Sequence, residues 1–125
     1  MRLEAKEWLD QAESELKSAQ DLLRSNRYSQ AAFHAHQVAE FSLKALSLEK
    51  KSMILGHDLV YIARKLNAPE EILDKCDLLN PAYTDARYVD RAGIAPFKLY
   101  DKERALANLH SSKEVIEWVK RQIKK

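Results

Sequence analysis

The chain has 125 residues, 46% hydrophobic and 32% charged, which is the apolar content of one compact domain with a single core. Two Gly and three Pro are too few for the tight turns that repeated short strands require, so an all-α fold over residues 1–125 is expected. A net charge of +2 neither requires nor excludes a nucleic-acid partner, and the single Cys76 excludes an intramolecular disulfide framework and a multi-cysteine zinc site.

The opening MRLEAKEWLDQAE is charged and lacks the apolar stretch of a signal peptide, and no later run approaches a membrane span, so a cytoplasmic protein with no membrane contact is expected. From Ala5 to Leu23 the apolar residues Ala5, Trp8, Leu9, Ala12, Leu16, Ala19, Leu22 and Leu23 recur at helical spacing, which predicts an amphipathic helix of roughly six turns. Arg24-Ser25-Asn26-Arg27 interrupts the pattern, and Ser and Asn there offer the backbone a turn.

Tyr28 to Lys51 carries two apolar stripes, one through Ala32, Ala35, Ala39, Leu43 and Leu46 and one through Ala31, Val38, Phe41 and Ala45. Such a helix is either central in a bundle or shared between the core and a partner, and a homodimer through it is expected. Its narrow polar strip is Gln30, Gln37, Glu40 and Lys44, the last two at the favourable i,i+4 spacing. Asp58 to Leu66 predicts a third helix, with His57 helping to cap it. Pro69 at a first helical position, followed by Glu70 and Glu71, predicts a fourth, short helix that buries Ile72, Cys76 and Leu79. Cys76 reads there as a small buried hydrophobe.

Pro81 to Pro96 is the least regular stretch, a turn of helix and a loop. From Asp101, a plausible N-cap, a last helix buries Ala105, Leu109, Ser112, Ile116, Val119 and Ile123 and ends in the basic run Lys120 to Lys125. That run completes the helix dipole and is also a candidate part of an RNA-facing patch. Trp8 and Trp118 on the outer long helices are expected to pack a bundle seam. Three long and two short helices joined mostly by short loops favour an up-down bundle of four to five helices.

Several strings, in order, resemble the HEPN (higher eukaryotes and prokaryotes nucleotide-binding) domain. They are Trp8 and Ala12, then Tyr28 with AAFHAHQVAEFSLKALSLE over residues 31–49, then Gly56-His57-Asp58-Leu59, then Tyr83 with Ala86-Arg87-Tyr88-Val89-Asp90. The last resembles the family's Ala-Arg-Tyr-Pro-Asp box, with Val89 in place of Pro. The resemblance implies a four-to-five-helix bundle, commonly a homodimer, often encoded beside a minimal nucleotidyltransferase in toxin–antitoxin-like pairs. It also implies, for several branches, metal-independent ribonuclease activity from an Arg, four to six residues and a His near the start of a late helix, paired across a dimer. In that chemistry His exchanges a proton near neutral pH and Arg stabilises phosphate charge.

Arg104 and His110 enclose five residues, ALANL, in the last helix, but six steps leave them roughly 120° apart around it. Arg27 and His34 fall within about 20° of each other, on the second helix, where the family does not place this pair. The nucleotide-binding candidates are Tyr83, Arg87, Tyr88, Asp90 and Arg91, with Arg87 as a planar phosphate fork and a tyrosine stacking on a base. The structural reading of the same loop is that Arg87 and Asp90 pair with each other or with a neighbouring helix and pin the loop to the bundle.

His34 and His36 point to different sides of their helix, so no shared metal is expected, and His34 reads as a hydrogen-bonded core or interface histidine. No phosphate-cradling Gly loop, Ser/His/Asp triad or carboxylate-rich metal site is visible, and no cofactor is expected. The function expected is a nucleotide- or RNA-associated binding module acting with a separately encoded minimal nucleotidyltransferase in a toxin–antitoxin-like or stress-response system. The alternatives are a metal-independent ribonuclease using Arg104 and His110, or Arg87, and a protein-interaction adaptor without a nucleotide ligand.

Overall fold

The structure, a computed structural model, describes residues 1–124. The described residues form α1 (Leu3–Arg24), α2 (Tyr28–Glu49), α3 (Leu59–Lys65), α4 (Glu70–Leu79), α5 (Ala82–Asp85), α6 (Val89–Ala92), α7 (Pro96–Leu99) and α8 (Lys102–Lys124). The fold is therefore an all-helical bundle, with three long helices and two short ones where the periodicity predicts them. The difference lies in Pro81–Pro96, where the chain winds three separate single turns, the third running on from Pro96, instead of one turn and a loop.

α1 and α2 form a hairpin. Asn26 takes a left-handed φ of 62°, and the Arg27 N–H then reaches the Leu22 carbonyl at 2.8 Å, the closure that satisfies the last carbonyls of a helix. Two other helices end in the same way. Lys51 (φ 63°) follows α2 and Asn67 (φ 59°) follows α3, with Ser52 N–H on Ser47 O and Ala68 N–H on Ala63 O. At the far end of the hairpin the Arg2 N–H donates to Glu49 Oε1 at 2.9 Å, so the start of α1 lies beside the end of α2.

α2 is the central element. Ala32 joins a cluster with Ala82, Ala86 and Tyr100, Val38 joins one with Ala12 and Ile116, and Ala35, Ala39, Leu43 and Leu46 enter the main core with Leu59, Ile62, Cys76, Leu79, Val115 and Val119. Both apolar stripes are thus spent inside the chain. None of the α2 residues is fully exposed, and Glu40 and Lys44 of the polar strip are buried, while Gln30, Gln37 and Phe41 are half-buried. Trp118 is buried as a seam residue, while Trp8 sits half-buried with its ring edge-on to Phe41 at 5.4 Å.

The short helices follow their local signals with two corrections. The cap of α3 is Asp58, whose carboxylate accepts the Val60 and Tyr61 N–H groups, and not His57, whose ring turns to Glu40 instead. Pro69 is the residue before α4 rather than its first, since its extended ψ of 162° serves the cap position. Cys76 is fully buried, and burial pushes its thiol up to about 12, which leaves it an inert hydrophobe. α8 starts as expected, with Asp101 Oδ1 accepting the Arg104 N–H at 2.8 Å. Its expected core residues are buried except Ile123, which is half-buried.

Candidate nucleotide-phosphate site

Tyr83 and Arg87 lie one turn apart, and the backbone keeps a helical course past the end of α5 through Tyr88 N–H on Thr84 O at 2.9 Å. That course lets Arg87 fold back so that its Nε–H donates to the Tyr83 carbonyl at 2.7 Å. The guanidinium carbon then lies 4.4 Å from the Tyr83 ring centre, 4.5 Å from Phe33 and 4.7 Å from Tyr88. A weakly hydrated planar cation on aromatic faces is held in orientation without losing its charge. No carboxylate among the described residues comes within ion-pair distance of Arg87, and its two terminal nitrogens have no hydrogen-bond partner there. The Arg87–Asp90 pair read from the sequence does not form: Arg87 is pinned by three rings and a carbonyl.

Tyr88 is 47% exposed beside this guanidinium, and Asp90 and Arg91 are exposed on α6. The structure thus brings Tyr83, Arg87 and Tyr88 together and leaves Asp90 and Arg91 on the adjoining surface without a partner among the described residues. Phe33, the third ring, comes from α2, and nothing in its local pattern distinguishes it from a core aromatic.

Behind Tyr83 lies a second group of residues. The His57 ring stacks on Tyr83 with centres 4.0 Å apart and planes 18° from parallel. Its Nδ1–H donates to Glu40 Oε1 at 2.9 Å, while Glu40 Oε2 accepts Lys44 Nζ at 2.8 Å. The Glu40 side chain is only 3% exposed, against 49% for His57, so a buried carboxylate fixes the tautomer and the tilt of a solvent-facing imidazole. Lys44 neutralises the carboxylate and lies 5.8 Å from the Trp8 ring centre. His36 is fully buried beside them; its Nε2–H donates to the His57 carbonyl at 3.2 Å, and burial holds its pKa below the ordinary value. Sequence spacing marks Glu40–Lys44 as a helix pair, but only the fold joins it to His57 and Tyr83.

The other candidates lie apart from this cluster in their contacts. Arg104 turns back to the Leu99 carbonyl (3.3 Å) and over the Tyr100 ring (4.0 Å), whereas His110 is 71% exposed, 3.7 Å from Glu114. His110 lines a groove of about 520 Å³ between α4 and α8 with Lys75, Lys113 and Arg121, a groove that Arg104 does not line. Arg27 is exposed at the α1–α2 turn, and His34 bonds Glu15 at 3.0 Å, linking α2 to α1 as a half-buried histidine. In the basic run, Lys120 pairs with Glu13 and Glu117, the hydrogen bond it donates to Glu13 raising its pKa; Lys125 lies outside the described residues. Among the described residues no group of three His, Cys, Asp or Glu could hold a metal ion, and no helix is long and apolar enough to cross a membrane.

The family model described as the HEPN domain matches residues 5–122. This chain belongs to the HEPN family. TT1696 from Thermus thermophilus is similar over 94% of this chain and 96% of its own, at 28% identity and a TM-score of 0.89. ST0689, an archaeal HEPN homologue, covers 95% of this chain and 97% of its own at 29% identity, with a TM-score of 0.85. A HEPN domain protein from Thermotoga maritima shares the fold at 21% identity and a TM-score of 0.79, over 95% of this chain and 98% of its own. Among curated proteins none matches. As a HEPN domain, the chain exposes Arg87 and Tyr88 of its Ala86-Arg87-Tyr88 box while Ala86 is buried, and it sets His57 of its Gly56-His57-Asp58-Leu59 box against Glu40 and Tyr83.

Proposed function

We propose that this HEPN domain is a cytoplasmic nucleotide- or RNA-associated binding module in which Arg87 takes a phosphate and Tyr88 stacks on a base. Residues 1–125 act as one helical domain. Its working partner is a separately encoded minimal nucleotidyltransferase, in a toxin–antitoxin-like or stress-response pair, and it works as a homodimer. The observation that carries the binding reading is the guanidinium of the exposed Arg87, laid on three rings, with both terminal nitrogens unpaired among the described residues. Two parallel N–H donors match the oxygens of a phosphate, and the neighbouring exposed Tyr88 supplies a face for a base. Asp90 and Arg91 border the same surface and set its local charge.

Fluorescence anisotropy with labelled nucleotides and short RNA tests this. Arg87→Ala is expected to weaken binding by about tenfold or more, the worth of a charged hydrogen bond of ~1.5–3 kcal/mol, and Tyr88→Ala to weaken it by ~1–3 kcal/mol. Binding indifferent to both substitutions would contradict the site and favour the adaptor reading.

A further inference from the structure

Independently of the Arg87 surface, we propose that the outer face of α1 beside Phe41 binds an aliphatic polyamine, a chain of methylenes carrying two or more ammonium groups. A cavity of about 460 Å³ opens there, lined by Glu4, Glu7, Trp8, Gln11 and Phe41, a volume in the range of small-ligand pockets. Its residues are sorted by chemistry. The half-buried rings of Trp8 and Phe41, with centres 5.4 Å apart and planes at 66°, supply its apolar surface, whereas Glu4, Glu7 and Gln11 are exposed. Neither carboxylate has an ion pair among the described residues. Lys6, next to Glu7 in sequence, is taken up by Asp10 at 2.8 Å.

The spacing selects the ligand. Glu4, Glu7 and Gln11 stand at i, i+3 and i+7 of α1, so the two carboxylates are one turn apart, with about 5–6 Å between their Cβ atoms. The three groups together span roughly 10 Å of helix axis. A single ammonium meets one carboxylate, whereas two ammonium groups joined by a few methylenes meet both, and the Gln11 amide oxygen accepts a further N–H. The methylene chain then lies on the rings, as a lysine stem covers apolar surface. A metal ion has no apolar stem and a neutral chain has no charge, so both parts of the cavity are used only by a long organic cation. The same pair of helices already holds such an arrangement within the chain. Lys44 Nζ is 2.8 Å from Glu40 Oε2 and 5.8 Å from the Trp8 ring centre, an ammonium shared by a carboxylate and an indole. Because Glu40 cancels the charge of Lys44, the unpaired Glu4 and Glu7 keep the cavity acidic. None of the residues lining it is one on which Arg87 lies, so a cation here does not compete with an anion there.

Calorimetric titration of the full chain with putrescine and with spermidine tests this, while nuclear magnetic resonance follows the Trp8 indole N–H, assigned through its loss in Trp8→Phe. Saturable binding is expected, with the Trp8 signal shifting and the Trp118 signal staying in place. Glu4→Gln and Glu7→Gln are each expected to weaken binding about two- to fivefold, the worth of an exposed ion pair, and the double variant about tenfold. Trp8→Leu should weaken it by a similar two- to fivefold factor, about that of an exposed cation–aromatic contact. Both glutamates are exposed, and a thermal melt of each variant verifies that the fold is kept. Glu103→Gln, an exposed position on α8, should leave binding unchanged, and a diol of the same chain length should not shift the Trp8 signal. Absence of saturable binding overturns the proposal. Magnesium chloride that shifts Trp8 as putrescine does would reduce the amine to a counterion and also overturn it. Binding that survives the double glutamate variant would place the amine elsewhere on the chain. A short lysine-containing peptide that binds more tightly than either free amine would assign the cavity to a protein partner's basic side chains, and the polyamine reading would fall.

Discussion

Single residues explain the site better than composition does. Glu40 and Lys44 are legible in the sequence as an i,i+4 pair, yet that spacing is usually a surface device worth a few tenths of a kcal/mol. Here both are buried, and the pair becomes the support of His57 because the loop before α3 covers this part of α2. His36 shows the cost of such burial. Its folded pKa is held below the ordinary 6.5 by desolvation, so over the interval beneath 6.5 the unfolded chain binds more protons than the folded one. Stability present above 6.5 is therefore lost as the pH falls through that interval. Urea midpoints measured from pH 7.5 to 5 are expected to fall, and His36→Gln, although less stable overall, should flatten the slope; an unchanged slope would locate the pH dependence elsewhere.

At the scale of elements, helix existence was legible because apolar residues recur at helical spacing, and helix ends because Ser, Asn, Asp and Pro have backbone preferences. What was not legible is which polar residues the bundle covers, since that depends on neighbours distant in sequence. Phe33 and His57 belong to the site only because α5 crosses the first half of α2 and because the loop before α3 passes Glu40. Within Ala86-Arg87-Tyr88-Val89-Asp90 the aromatic support of Arg87 could be anticipated from Tyr83 and Tyr88, but the Arg87–Asp90 pair could not be excluded from spacing alone. The αL helix ends also carry a cost. A non-glycine residue in that region is disfavoured by roughly 1–2 kcal/mol, and Lys51 sits there at φ 63° with its N–H on the Leu48 carbonyl at 2.8 Å but a long side chain that makes no hydrogen bond among the described residues. Lys51→Gly is expected to raise the chemical-denaturation stability by a few tenths to about 1 kcal/mol, the relief being offset in part by glycine's unfolded-state entropy. A fall in stability would show that the Lys51 side chain contributes contacts that outweigh the strain.

The whole molecule is organised around α2, which contributes residues to all three apolar clusters. Removing that helix from any one cluster would open the other two, so unfolding should be a single cooperative transition. The two tryptophans report on different sides, Trp8 against Phe41 and Trp118 in the main core. Variants that keep only one of them, with Phe replacing the other, should give coincident fluorescence transitions that also match the loss of helical circular dichroism. Separate midpoints would mean that the α1 side melts independently. Such a rigid bundle places the irregular stretch from Pro81 onward as a surface strap, with Arg87 on its aromatic support, while the net charge of +2 provides little long-range attraction. Recognition must therefore be local.

That locality makes the central claim directly measurable by nuclear magnetic resonance, following the arginine Nε–H and aromatic signals during titration with a short RNA or nucleotide. The Arg87 Nε–H and the Tyr88 ring are expected to shift first and saturably, with Tyr83 and His57 following, while Arg104 and His110 stay in place. Shifts confined instead to His110, Lys113 and Arg121 would move the ligand to the α4–α8 groove and contradict the assignment of Arg87 as the phosphate-binding residue.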